Sequence, residues 1–282
     1  MNELFPKIPL DIWIDNLVEW LVDNATWFFD PVKDSLDWFV DWLSMTLLLV
    51  PSWLFIVVVA AASFFLARRK IGLPIFVLLG LFLIDNLGYW EATILTLSLV
   101  LTASLISVVI GIPIGIWMAR SKVVESIITP VLDFMQTMPA FVYLIPAVSF
   151  FGIGMVPGII ASVIFAMPPT VRFTNLGIRQ VSPELIEAAD AFGSTGNQKL
   201  YKVQLPMAKK TIMAGINQTI MLALSMVVIA SMIGAKGLGV EVYRSITRNE
   251  PGQGFESGLA IVILAIVLDR ISQNLNRQKF DQ

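Results

Sequence analysis

The 282-residue chain contains no cysteine and no histidine. Without thiols there is no disulfide framework and no thiolate metal site. Without imidazole, the commonest general base and metal ligand near neutral pH is missing as well. Charge is also scarce: Asp, Glu, Lys and Arg make up 14% of residues, against roughly 25% in a soluble globular chain. No nucleotide-binding loop is visible. The nearest candidate, Gly193 to Lys199, has glycines and a lysine but neither the spacing nor the Lys-Ser/Thr ending of one. No paired carboxylates lie on one helix at membrane depth, so catalysis within this chain is poorly supported and no metal site is expected. A cleavable signal peptide is not expected either, because the first 44 residues are acidic and amphipathic rather than a basic start before an apolar run. No nucleic-acid partner is expected.

What the chain has instead is apolar length. Hydrophobic residues make up 56% of it and fall in long runs, several near the roughly 20 residues that cross a bilayer as helix. The runs are too continuous for β-barrel strands, and helices satisfy their own backbone polar groups. Seven spans are expected, at approximately 45–67, 71–85, 92–118, 127–150, 155–172, 211–233 and 257–270. With the N-terminus outside, fourteen of the nineteen basic residues fall on the inner side, leaving Lys7, Lys33, Lys236, Arg244 and Arg248 outside. The positive-inside bias therefore predicts an N-out, C-in chain with an odd number of spans. The fold class expected is an all-α polytopic membrane protein.

Ahead of the spans, residues 1–44 read as an amphipathic unit. Trp13, Leu17, Trp20 and Trp27 recur at helical spacing, with Asp11, Asp15, Glu19 and Asp23 in a second row. Asp30-Pro31 reads as the N-cap and first position of a second helix carrying Trp38, Phe39 and Trp42 opposite Asp34, Asp37 and Asp41. Such a pair suits a lipid interface with tryptophans at headgroup depth. The sharper reading is a platform that also braces the bundle or meets an external partner.

The only substantial polar insert, 173–210, lies between the fifth and sixth spans. Ser182-Pro183-Glu184 opens a short helix, which Gly193 is placed to stop. Thr195-Gly196-Asn197-Gln198 fits a capping box for a second short helix, ending before Leu205-Pro206. Ala188 and Ala189 leave one side low enough for another surface to approach.

On these residues the sequence resembles a known family. Glu187-Ala188-Ala189, three residues, Gly193, nine residues and Val203-Gln204-Leu205-Pro206 resemble the EAA signature of ABC importer permeases, with valine where the family usually has isoleucine. The stretches 133–144, 164–172 and 222–228 are similar to the glycine betaine/proline (quaternary ammonium osmolyte) branch. The similarity covers roughly residues 85–275, and Lys236 stands where that branch often has proline. The resemblance implies a type I ABC importer permease-like bundle in a bacterial inner (plasma) membrane, acting as a homodimer. It further implies a cytoplasmic ATP-binding subunit, where ATP and Mg would be bound rather than on this chain, and an extracytoplasmic substrate-binding protein. By the same resemblance Glu187, Ala188, Ala189, Gly193, Leu205 and Pro206 would shape the contact with the ATPase.

For the substrate, cation–π contacts with aromatic faces would hold a quaternary ammonium group. Phe134, Phe141 and Tyr143 are candidates, with Gln136 and Asn217 as polar groups in or near spans. Asn217 could equally hydrogen-bond between helices, and Asp133 could serve a helix start or interface. Prolines 139, 146, 157, 168 and 169 interrupt the fourth and fifth spans, which makes the fourth the expected pathway-lining helix. Gly111 and Gly115 around Pro113 predict close helix packing. The reading is a permease subunit moving compatible solutes inward by alternating access. The alternatives are a permease for another small polar solute or an ion-coupled secondary transporter, the latter lacking visible repeats or coupling groups.

Overall fold

The structure, a computed structural model, describes residues 9–67 and 71–277, and of 275–277 the backbone alone. Among the described residues every regular element is helical. Arg68, Arg69 and Lys70, counted in the charge bias, lie outside the described residues, as do Lys7 and Lys279.

The N-terminal region forms α1 (Leu10–Asn24) and α2 (Thr26–Leu49). Helix α2 starts five residues before the expected Asp30-Pro31 cap and runs through Pro31. That correction has a simple cause: Pro31 falls close enough to the helix start that few ladder bonds are lost. The expected boundary at residue 44 falls inside α2. Val40, 1% exposed, joins the main core beside Leu97, Val100 and Ile159, and Phe29 stacks on Phe150 with ring centroids 4.5 Å apart. The outward tryptophans Trp13, Trp20, Trp27 and Trp38 stay exposed. One face of this pair braces the bundle while the other presents indoles outward.

The first expected span, 45–67, is interrupted. Val50 is extended before Pro51, as a residue preceding proline prefers, and α3 (Ser52–Leu66) leaves α2 at 96°. Next come α4 (Gly72–Asn86) and α5 (Trp90–Arg120). The fourth expected span, 127–150, is likewise not straight. It consists of α6 (Lys122–Thr137), a 3₁₀ turn (Ala140–Tyr143) and α7 (Leu144–Phe151), bent by 106°. Helix α8 (Met155–Arg179) is followed by the insert helices α9 (Pro183–Ala191) and α10 (Gly196–Lys199). A π turn (Leu200–Gln204) joins α10 directly to α11 (Leu205–Ser225), and α12 (Val227–Ser231) extends it. The second insert helix thus does not end before Leu205-Pro206. The wide turn sits where Pro206 already removes a ladder donor, and helix continues from Gly196 to Ser231. The chain finishes with α13 (Leu238–Arg248) and α14 (Pro251–Arg277).

Side-chain ties show that the bundle has two ends. At one, Ser52 donates to Asp85 (3.0 Å), the Leu238 N–H donates to Thr96 (2.8 Å), and the Gly154 N–H donates to the Ile233 carbonyl (3.0 Å). At the other, Arg179 reaches the Met118 carbonyl (3.0 Å) and Glu125 (2.6 Å), and Asn217 donates to Asp269 (2.9 Å). Among the described residues α5, α8 and the run from Gly196 to Ser231 are long and apolar enough to cross a membrane, and α2–α3 and α6–α7 each qualify only as one bent span, giving up to five against the seven expected.

The centre is α5, α8 and α11, drawn close by small residues. A Cβ on Gly115 would come within 2.6 Å of both Thr174 and the Val171 carbonyl, and one on Gly215 within 2.7 Å of Phe173. Thr170 and Thr219 share a buried hydrogen bond of 2.8 Å between α8 and α11. Gly111 and Gly115 therefore pack as expected, with α8 as the neighbour that approaches them.

Candidate functional site

The insert is a small rigid body. Ser182 precedes Pro183 at the start of α9, although its hydroxyl donates to Glu184 (2.5 Å) instead of accepting from the backbone. At the other end Gly193 adopts φ +73°, a left-handed conformation that costs little only in glycine, and the Ser194 N–H closes onto the Ala189 carbonyl (3.0 Å). Thr195 and Gln198 form both halves of the capping box. Lys199 then ties α10 back to α9 through Asp190 at 2.5 Å.

One side of the insert is anchored to the bundle. Leu200 is buried with Ile178, Ala208 and Ile212, and Leu205 packs against the same cluster. Arg120 reaches Asn197 at 3.2 Å. The other side is bare: Leu185, Ala188 and Phe192 follow one another at i, i+3 and i+7 and are all exposed. Phe192 is 90% exposed, on a segment with the charged neighbours Asp190 and Lys199. Of the residues the signature pointed to, Ala188 lies on this bare side and Ala189 is buried beneath it. Glu187 is exposed, and Pro206 is exposed at the head of α11. Phe192 was missed by motif reading, though a large aromatic residue inside a polar insert was a signal in plain view.

Between the insert and the bundle lies a cleft of about 330 Å³ lined by Ala119, Ile178, Arg179, Ile186, Glu187 and Gln204, among others. Arg179 forms its inner wall. Its guanidinium is shared among three helices: Nε to Asn175 (2.9 Å), Nη2 to the Met118 carbonyl, and an ion pair with Glu125.

The pathway candidates divide. Phe134 and Phe141, 62% and 53% exposed, and Gln136 lie on the outer surface of α6 and its corner. Asp133 on the same helix pairs with Arg172 of α8 at 2.5 Å, which makes it a helix-to-helix tie. Tyr143 does not join them, because its ring is buried and its hydroxyl donates to the Met135 carbonyl at 2.6 Å. That carbonyl lost its helical donor when Pro139 removed the N–H four residues on. Asn217 is also spoken for, donating to Asp269 and accepting from Ser272. Among the described residues no group of three acidic side chains is placed to hold a metal ion.

Residues 111–279 match the family described as the binding-protein-dependent transport system inner membrane component. The chain is 63% identical over 275 residues, covering 97% of both chains, to the glycine betaine/carnitine transport permease protein GbuB of Listeria monocytogenes. It is 56% identical to the glycine betaine transport system permease protein OpuAB of Bacillus subtilis, covering 97% of this chain and 96% of that one. Against the glycine betaine/proline betaine permease protein ProW of Escherichia coli it is 48% identical, covering 96% of this chain and 76% of that one. Among solved structures, the inward-facing MetNI methionine ABC transporter superposes with a TM-score of 0.62 at 20% identity, over 67% of this chain and 95% of that one.

Proposed function

The chain belongs to the binding-protein-dependent transport system inner membrane components, and from that premise we propose that it carries glycine betaine and related quaternary ammonium solutes inward across the bacterial inner membrane as the permease of an ATP-driven importer. The observation that carries the reading is the insert: a capped, internally bridged pair of short helices with Phe192 standing bare at its tip. Outside a membrane an aromatic ring that exposed suits burial by a partner, and a separate ATP-binding subunit supplies one. ATP and Mg are held there, and this chain contributes no hydrolytic chemistry. Glu187, Ala188, Ala189 and Gly193 shape and present the contact, with Leu205 and Pro206 passing its movement into α11.

The substrate reading rests on the named relatives and on Phe134, Gln136 and Phe141, exposed aromatic rings and an amide on α6 and its corner. Exposed polar groups at span depth, Gln136, Asp133 and Gln218, favour water or a second copy over lipid. A homodimer with the passage between two such surfaces meets that need. The N-terminus and the far end face outward, toward the solute-binding protein, and the insert faces the cytoplasm.

The test is uptake of radiolabelled glycine betaine by vesicles holding the chain with its ATP-binding subunit and binding protein. ATP-dependent accumulation competed by carnitine or proline betaine is expected, and indifference to all three solutes overturns the substrate class. Phe192→Ala is expected to release the ATP-binding subunit in co-purification, at a cost of about 2 kcal/mol of interface energy. Unchanged association removes the insert from the contact.

A further inference from the structure

The cleft beneath the insert brings together two acidic side chains that can address one arginine. Arg179 ends α8 and presently holds Glu125, in the first turn of α6, at 2.6 Å. Asn175 braces the same carboxylate, donating to Glu125 at 3.0 Å. The pair therefore clamps the start of α6 to the end of α8. Glu187 lines the same cleft and makes no hydrogen bond or ion pair among the described residues. Arg179 Nη1 also has no partner among them, so the guanidinium has donors to offer in that direction.

The insert is built to move as one piece. Lys199–Asp190 and the capping box lock its two helices together, Gln180 to Ser182 connect it to α8 without a helix, and its other end continues through the π turn into α11, so the insert moves together with that helix. Closing the cleft would bring Glu187 to Arg179. A second carboxylate at one guanidinium weakens the hold of the first, since the two share the donors and repel each other. Helix α6 would then keep only one ion pair to α8, that between Asp133 and Arg172. Helix α6 is also the one that presents Phe134 and Gln136 outward.

We infer that Arg179 is a positioning residue of the transport cycle, exchanged between Glu125 and Glu187, so that movement of the insert toward the bundle frees the start of α6. This rests on the reading of the insert as the ATPase contact. The other acids on α9 are engaged elsewhere, Glu184 by the Ser182 hydroxyl and Asp190 by Lys199, and the nearby Arg120, Lys122 and Lys202 are cations.

The natural absence of cysteine gives a clean background for distance measurement. Spin labels on Ser126→Cys in α6 and Gln180→Cys after α8, both exposed positions, report the separation in the assembled transporter with and without trapped ATP. The separation is expected to lengthen on ATP trapping in the otherwise wild-type chain. It should stay short in Glu187→Gln, and Glu187→Asp should recover part of the lengthening. In Glu125→Gln it should be long in both states. Lengthening in Glu187→Gln equal to wild type overturns the exchange, as does no lengthening in a chain that still transports. Failure of the ATP-binding subunit to assemble at all is a different result, because it sinks the functional reading itself.

Discussion

Helix α8 and the α6–α7 passage are neighbours with proline in the interior, and they end up opposite. Pro168 and Pro169 sit side by side within α8, which nevertheless remains a single 25-residue helix. The α6–α7 passage, which also holds Pro130 and Pro146 within its helices, turns through 106° at Pro139. Proline chemistry is the same in both, so the surroundings decide. Of the apolar window of α8, 67% is buried inside the bundle, with α5 and α11 packed along its flanks. A break there would forfeit contacts on two sides. The α6 corner has bundle on one side only, and Tyr143 supplies the hydrogen bond that the bent backbone lacks. Pro113 lies in tightly packed α5 and Pro51 precedes an exposed corner, but Pro31 and Pro130 are exposed within unbroken α2 and α6, so burial alone does not decide where a proline bends the chain.

The difference can be attacked first at the packing. Gly115→Leu would drive a side chain into Thr174 and the Val171 backbone, separating α5 from α8. A loss of about 3 kcal/mol is expected, read as a lower unfolding temperature in detergent and as lost accumulation in the membrane. A chain as stable as wild type would show that α8 does not depend on this contact for its straightness. Tyr143→Phe comes next. Leaving the Met135 carbonyl without a donor is expected to cost roughly 1–2 kcal/mol, with faster proteolysis between 135 and 145 as the local signature. Pro168→Ala should do less. Packing already holds α8 straight, so the restored N–H should change stability by under about 1 kcal/mol.

The smallest effect lies on the bracing helix α2. Burial against the bundle raises the Asp37 carboxyl above its usual range, Asp41 and Asp34 adding to this and Lys33 opposing it. A raised pKa means that the folded state prefers the protonated form. The stability it contributes is present below the ordinary carboxylate range and is lost as pH rises through the folded value. Asp37→Asn is therefore expected to raise the unfolding temperature slightly at neutral pH and to match wild type in acid. An equal gain at both pH values would point to a cause other than ionisation.

Much of this architecture was legible because its signals are local. The caps at Gly193 and at Thr195–Gln198 and the proline at 183 each depend on a few adjacent residues, and the all-helical class on long apolar runs. What escaped reading depends on distant partners. Pro31 was taken for a helix start since nothing nearby says that Phe29 will stack on Phe150 and hold an earlier turn in place. Tyr143 looked like a free aromatic face because its acceptor is a carbonyl that only the bend exposes. Asn217 had been weighed as an interhelix bond, and its partner Asp269 lies 52 residues away. Pro206 suggested a stop, whereas the π turn before it lets the helix continue.

That continuity has a mechanical meaning. From Gly196 to Ser231 the helix counts 36 residues, or roughly 54 Å of near-rigid rod at ~1.5 Å per residue. Its first turn belongs to the insert, and its last lies beside the loop that Gly237 fits against Thr96. Pivoting about the Thr170–Thr219 contact by ~5° would sweep the insert tip by ~3 Å and the opposite tip by ~1.5 Å in the opposite sense, given those lever arms at ~1.5 Å per residue. A push on one side of the membrane is thus delivered on the other side as a pull, with no signal having to pass from residue to residue.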